Sequence, residues 1–361
     1  MIDRIETAYY RLPLAGMGDA GHGRIDTEEL ILTRVYADGL VGHGYAYTIG
    51  RGGRAVRSLI DGDLAPLILG HDAADVEGLW ELMWRRMTYV GRGGLVAFAV
   101  AAIDIALWDL RGLRAGQPLY ALLGATSRAI SAYGSGVDLP MPTEELLAQT
   151  ARFVERGFGG VKVKVGRPDP ADDDARVAAV RRLIGPKVDL LIDANMSWDL
   201  TSALARAGQL SRHDLYWLEE PLIPEAVADH RILRAKTGLR ISVGESLHSI
   251  HEFASYAEAG AASVFQIDPV TNGGITVSRQ VLALADRHSL LASSHYTDEL
   301  SAHLLCAAAQ PVYLEKHAFA LDPFLETPQA VVAGCVRPTD VPGTGLRFIE
   351  GRLREVAIEH D

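Results

Sequence analysis

Seven short apolar runs in the second part of the chain each close on an ionisable residue, and they recur at a nearly constant spacing. They read Gly-Val-Lys-Val-Lys (160 to 164), Val-Asp-Leu-Leu-Ile-Asp (188 to 193), Leu-Tyr-Trp-Leu-Glu (215 to 219), Ile-Ser-Val-Gly-Glu (241 to 245), Ser-Val-Phe-Gln-Ile-Asp (263 to 268), Leu-Leu-Ala-Ser-Ser-His (290 to 295) and Val-Tyr-Leu-Glu (312 to 315). The intervening segments are long enough for one crossover helix and two loops, which is what parallel strands require. Ala-Ile-Ser-Ala-Tyr-Gly-Ser-Gly (129 to 136) supplies an eighth strand ahead of them. Strands so arranged close into a ring, and their last side chains meet at its C-terminal mouth, where such a barrel carries its chemistry.

A barrel of about 200 to 250 residues leaves part of the 361 residues unassigned. Residues 2 to 11, 29 to 37 and 41 to 48 read as strands from their apolar and β-branched runs, and the period turns helical from Val56 to Arg86 and from Val96 to Arg111. The expected fold class is therefore α/β: a modified (β/α)8 TIM barrel with an N-terminal α+β capping domain. The expected divisions are 1–125 for the cap, 126–325 for the barrel, and 326–361 for a Pro/Gly-rich segment that returns to the cap through a short strand near 346 to 349. Gly16 to Gly23, Gly50 to Gly53 and Gly91 to Gly94 lie between periodic elements and suit a lid over the barrel mouth. Beside them His22, Arg24, Tyr45, Tyr47, Tyr89 and Arg92 are polar groups able to grip hydroxyls.

The net charge of −11 comes with no basic cluster, which argues against nucleic acid and anionic membranes as partners and for a small diffusible substrate. Cys306 and Cys335 are too few for a disulfide framework or a four-ligand zinc site. The N-terminus lacks a signal-peptide pattern and no apolar stretch reaches the ~20 residues that span a bilayer, so a cytoplasmic protein is expected.

Asp193, Glu219 and Glu245 end three successive strands. Carboxylates crowded together repel one another and stay ionised only around a hard cation, which for an all-oxygen donor set is Mg2+. Lys162 and Lys164 share one face of their strand, because strand side chains alternate. For one of them to act as a base near neutrality its pKa must fall from about 10.4 to near 7, a shift worth ~4 kcal/mol; a second ammonium, a divalent cation and desolvation push that way, while the metal-bound carboxylates pull the other way. On the opposite flank Asp268 beside His295 would fix the imidazole tautomer and raise its basicity. Glu315 is placed to act as a protonated acid toward a substrate carboxylate oxygen.

With these motifs the chain resembles the enolase superfamily, mandelate racemase subgroup: Lys162-Val-Lys164, Ile192-Asp193-Ala-Asn195, Trp217-Leu-Glu219-Glu220-Pro221, Gly244-Glu245, Asp268 with Gly273-Gly274 downstream, and Ser294-His295. Ala102 to Leu110 is similar to the helix that precedes the barrel in that family. The resemblance implies Mg2+ on Asp193, Glu219 and Glu245, Lys164 as one base, Lys162 on the substrate carboxylate, Asp268 and His295 as the second acid/base pair, Glu315 as the electrophilic acid and Asn195 as a polar contact. It also implies a homo-oligomer, a dimer or an octamer. The branch with a second lysine in place of the Asp268 and His295 pair fits less well.

The shared step it implies is removal of the proton α to a carboxylate. The lid pieces Gly21-His22-Gly23, Gly44-Tyr-Ala-Tyr47, Gly52-Gly53 and Tyr89 to Gly94 resemble those of 3,6-anhydro-L-galactonate cycloisomerases. That implies β-elimination that opens a cyclic ether to a 2-keto-3-deoxy acid. Dehydration of an acyclic sugar acid and racemisation or epimerisation of a 2-hydroxy acid are the alternatives, and a non-catalytic sugar-acid-binding relict is the reading of another class.

Overall fold

A computed structural model describes residues 1–125, 127–317 and 321–356. The chain opens with an antiparallel meander, β1 (Ile2–Asp19), β2 (Gly23–Ala37) and β3 (Leu40–Thr48), in that order across the sheet. Its inner face is covered by the helix Leu95–Ala115, whose small residues allow close approach. A Cβ added at Gly42 or Gly44 would stand 2.1 Å from the carbonyl oxygens of Ala106 or Ala102. Glycine is therefore what lets β3 lie on that helix.

The barrel strands are β4 (Ile130–Ser135), β5 (Gly160–Lys164), β6 (Asp189–Asp193), β7 (Leu215–Glu219), β8 (Ile241–Val243), β9 (Val264–Ile267), β10 (Leu291–Ser294) and β11 (Pro311–His317). Each pairs in parallel with the next, and β11 pairs in parallel with β4, so the ring closes. Helices between successive strands bury their apolar stripes against its outside. Inside, Tyr133, Leu191, Trp217 and Val264 form a plug below the mouth, so the ring is a packed core. Burying each large apolar side chain contributes roughly 1.5–3 kcal/mol.

Three local expectations change. β1 and β2 run on to a turn at 20 to 22, with a register shift between Pro13 and Met17, so the Gly-rich stretch 16 to 23 is the end of a long hairpin; its glycines and polar residues hid the strand pattern. The helical period from Val56 to Arg86 is interrupted: Leu69 turns extended, Gly70 takes φ 76°, and Asp75 caps a new helix (Val76–Arg86) by accepting a hydrogen bond from the Gly78 N–H. The strand expected near 346 to 349 is a single bridge, Leu325 to Phe348. A small hairpin instead, β12 (Val331–Val332) and β13 (Cys335–Val336), adds antiparallel to β4. Beyond it the chain touches the cap, through an Arg34–Glu350 ion pair and the edge of Phe348 against Tyr45.

Candidate active site

The mouth is built from strand ends. Asp193 ends β6, Glu219 ends β7 and Glu245 lies two residues past β8, and their ligand oxygens fall within 4.8 Å of one another. Several strand ends are followed by residues in the left-handed region, Asn195 (φ 42°), Glu220 (φ 37°) and Tyr296 (φ 43°). Each such non-glycine residue costs on the order of 1–3 kcal/mol, strain of the kind that surrounding structure holds at functional sites. The turn after β6 points the Asn195 amide at Glu245 (3.3 Å), while the Asn195 N–H donates to Asp193 (2.9 Å).

The flanks carry the cations. Lys162 and Lys164 both point inward from β5, as alternation demands. Lys162 Nζ lies 2.6 Å from Glu219 and 2.6 Å from Glu315, and Lys164 Nζ pairs with Asp193. Across from them His295 gives one ring nitrogen to Asp268 and the other to Glu245, each at 2.9 Å. Asp268 also accepts from the Tyr47 hydroxyl (2.6 Å) and the Val270 N–H (2.8 Å), so the dyad is held from both domains.

Electrostatics follow from this pairing. Burial opposes charge on His295, but Glu245 and Asp268 outweigh it and hold the imidazole well above its usual range. Burial likewise opposes charge on Lys164, and Asp193 outweighs it, so its ammonium lies above its usual range. The mutual depression of the two lysines expected from sequence is overridden by carboxylates. Burial and the neighbouring Asp193 push Glu219 up to about 8, against the pull of Lys162. At Glu245, by contrast, burial is outweighed by His295, which holds the carboxyl well below its usual range. The all-oxygen donors of the trio fit a hard divalent cation such as Mg2+. A second cluster of possible ligands, His295, Glu315 and His317, suits a hard cation less, because two of its three donors are imidazole nitrogens.

A cavity of about 330 Å3 separates this mouth from the cap, at the small end of ligand pockets. Lys164, Asn195, Glu245 and His295 form its floor; His22 and Tyr47 reach it from above. His22 is held by Asp19, which accepts from its N–H at 2.6 Å and meets its ring at 3.1 Å. The hairpin tip seats on the mouth: a Cβ at Gly21 would stand 2.1 Å from the Asn195 carbonyl oxygen.

Several expected residues fall elsewhere. Tyr89 is 100 % exposed, and Arg92 lies over the Trp84 ring at 3.5 Å; neither lines the cavity. Their loop follows the helix Val76–Arg86, and Arg92 packs back on that helix at Trp84. Lys162 is buried beneath the floor rather than open to a ligand. At Glu315 burial raises the carboxyl, but His317 and Lys162 outweigh that and hold it well below its usual range, and it accepts the Tyr296 N–H at 2.8 Å. The roof is also more apolar than the polar lid expected, because Leu14, Met17, Ile25, Leu95 and Phe98 share it.

Sequence reasoning overlooked Asp19, Glu28, Tyr296 and His317. His317 lies two residues past Glu315 on β11 and so shares its face, a spacing signal that was available. Asp19 and Glu28 had none, because their strands were read too short.

The C-terminal part, residues 145–351, matches the family model described as enolase C-terminal domain-like, and residues 18–124 match that of the mandelate racemase/muconate lactonizing enzyme N-terminal domain. The chain is 40 % identical over 361 residues to a 3,6-anhydro-alpha-L-galactonate cycloisomerase of Streptomyces coelicolor, covering 99 % of this chain and 100 % of that one. A solved racemase from Streptomyces coelicolor with bound magnesium superposes with a TM-score of 0.96 at 39 % identity, covering 99 % of this chain and 100 % of that one. An L-talarate dehydratase from Polaromonas sp. JS666, solved with Mg and L-glucarate, gives 0.92 at 32 % identity over 99 % of this chain and 97 % of that one.

Proposed function

Because the chain belongs to the enolase superfamily, in its mandelate racemase/muconate lactonizing enzyme branch, we propose that it is a cycloisomerase that opens 3,6-anhydro-L-galactonate to a 2-keto-3-deoxy acid. The observation that carries the reading is that Lys164 and His295 enter one cavity from two sides of the carboxylate trio. One of them removes the proton α to the substrate carboxylate, and the other protonates the leaving oxygen or the enol. Asp268 and Tyr47 fix the imidazole. Asp193, Glu219 and Glu245 would hold Mg2+, which when bound supplies positive charge for the enolate.

Two features support a cyclic substrate over an open polyol. The full-length relative at 40 % identity is a cycloisomerase, and the apolar part of the roof faces the site. A ring ether offers such a roof C–H surface where an acyclic acid offers hydroxyls that would go unpaired. Dehydration of an acyclic acid remains the second reading, supported by the likeness to the L-talarate dehydratase. The reading extends to a homo-oligomer in the cytoplasm, a dimer or an octamer; among the described residues no helix is long and apolar enough to cross a membrane.

Mass spectrometry separates the chemistries. In ring opening the C2–H and C3–O bonds break while the oxygen stays attached at C6, so product and substrate have equal mass and a new 2-keto group appears. Loss of one water marks a dehydratase. Inverted configuration at unchanged mass, with no keto group, rejects both in favour of an epimerase.

A further inference from the structure

Ring opening needs a group that gives a proton to the ether oxygen as well as one that takes the proton from C2. One proton leaves C2, one must reach the ether oxygen, and one must reach C3 as the enol becomes a ketone. The cap places another carboxyl on the cavity wall. Glu28 of β2 is 3 % exposed and lines the cavity. Its neighbour Glu29 points to the other face of the strand, where Tyr9, Thr48 and the Gly53 N–H hold it. Both Glu28 oxygens accept from the Tyr296 hydroxyl, at 3.1 and 3.0 Å. Tyr296 is pinned for this by its left-handed backbone and by the hydrogen bond from its N–H to Glu315.

What sets Glu28 apart is the company it lacks. Glu219, Glu245 and Glu315 each meet a lysine or a histidine. Among the described residues Glu28 meets no cation within ion-pair range. Across the sheet it faces Leu12 of β1, while Thr48 of β3 pairs with its neighbour Glu29. From the barrel the groups around it are Tyr296 and Asp268, with Tyr47, His295 and His317 packed on the Tyr296 ring. A buried carboxyl without a cation keeps its proton. Burial, helped by Asp268 and opposed by Tyr296, accordingly pushes it up to about 7, the range in which a group donates a proton best near neutrality.

We propose that Glu28, a catalytic side chain contributed by the cap, is the general acid that protonates the ether oxygen as the ring opens, so that the second barrel group serves the enol and not the leaving oxygen; this rests on the ring-opening reading above. The step balances. A barrel base takes the C2 proton, the C3–O pair leaves with the oxygen, and the Glu28 carboxyl gives that oxygen its proton. On ketonisation C3 takes a proton from a barrel group, and the enol hydroxyl returns one to the Glu28 carboxylate.

The test uses the Mg2+-loaded full chain with 3,6-anhydro-L-galactonate, following ring opening and exchange of the C2 hydrogen with D2O separately. Glu28→Gln keeps an acceptor for Tyr296. It should slow ring opening by about 10²- to 10⁴-fold, leave C2 exchange within a few-fold, and remove the fall of kcat/KM with rising pH. Tyr296→Phe removes the donor that favours the carboxylate, so it should move that fall to higher pH and keep turnover below it. Wild-type enzyme that opens the ring, with Glu28→Gln matching it in rate and pH profile, overturns the role of Glu28 alone. Loss of exchange as large as the loss of ring opening overturns it too, since Glu28 would then only shape the site. Wild-type enzyme that exchanges the hydrogen but leaves the ring closed overturns the ring-opening reading and the role of Glu28 with it.

Discussion

The floor and the roof of the cavity are built on opposite principles. The floor is a set of strand ends, each placed by one barrel unit, with carboxylates and cations interlocked at distances of 2.6 to 2.9 Å. The roof is one hairpin and a loop from another domain, placed by docking, in which polar groups alternate with apolar ones. Charge on the floor can bind the part of the substrate that every α-proton abstraction shares, the carboxylate and its neighbouring carbon. The roof meets the remainder, where a ring ether and an open polyol differ. Similar floors beneath different roofs would let one scaffold host racemases, dehydratases and cycloisomerases.

If that division holds, the largest losses come from the floor. Glu219→Gln takes a charge from the trio while leaving the barrel core intact. It should cost several kcal/mol of transition-state stabilisation, on the order of 10³-fold in kcat/KM, and weaken Mg2+ binding in calorimetric titration with an unchanged circular dichroism spectrum. Near-normal activity would remove Glu219 from the metal site. A chelator should abolish activity and added Mg2+ restore it. Next come Lys164→Ala and His295→Asn, each expected to lower kcat by about 10²- to 10⁴-fold. A rise in KM alone would make either a binding group.

The same division governs how much could be read from the sequence. The floor was legible because its residues close strands, and closing a strand is a local property: Lys164, Asp193, Glu219, Glu245, Asp268 and His295 lie at or just past strand ends, and Lys162 and Glu315 lie two residues before them. Their electrostatics were less legible, since they depend on which strands are neighbours; against burial, Lys162 from β5 joins His317, on the same strand as Glu315, in holding the Glu315 carboxyl below its usual range. The roof was poorly legible because strand identity there is masked by glycine and because docking chooses which side chains face inward. Tyr89 and Glu28 show both errors, one expected at the site and fully exposed, the other overlooked and buried against it.

Apart from Glu28, a roof residue should therefore act on binding more than on chemistry. His22→Ala removes one ring held by Asp19 above the cavity. The expected change is a rise in KM of roughly 2- to 10-fold, the worth of one hydrogen bond, with kcat nearly constant. A fall in kcat with KM unchanged would bring His22 down among the reacting groups.

The seam between the two regions offers a test on stability. Asp104, in the helix Leu95–Ala115, accepts from the Thr276 hydroxyl (2.6 Å) and N–H (3.0 Å) at the start of the helix Ile275–Arg287. Burial pushes its carboxyl up to about 7, although those hydrogen bonds pull the other way. An unfolded aspartate titrates near ~3.9, so the folded chain holds a proton that the unfolded chain has released. Its contribution is fully present below about pH 4 and is lost as pH rises through about 7. Asp104→Asn should flatten this part of the stability curve, read as a smaller difference in Tm between about pH 5 and pH 8 than in the wild type. An unchanged difference would mean that Asp104 is ionised in the folded protein.

The smallest expected effect lies in the loop the sequence singled out. Tyr89 is fully exposed, and Arg92 gives its guanidinium to the face of Trp84, a contact worth about 0.5–1 kcal/mol at an exposed site. Neither side chain lines the cavity. Tyr89→Ala should leave kcat/KM within about twofold, and Arg92→Ala should cost at most a small fall in Tm, since an exposed substitution usually changes stability by about 0.5 kcal/mol or less. Yet Leu95 and Phe98, just beyond this loop, do line the cavity, so the loop borders the roof. Tenfold or larger losses in kcat/KM for Tyr89→Ala, with Tm unchanged, would show that the roof of the loaded enzyme extends over this loop and would move the boundary between floor and roof outward.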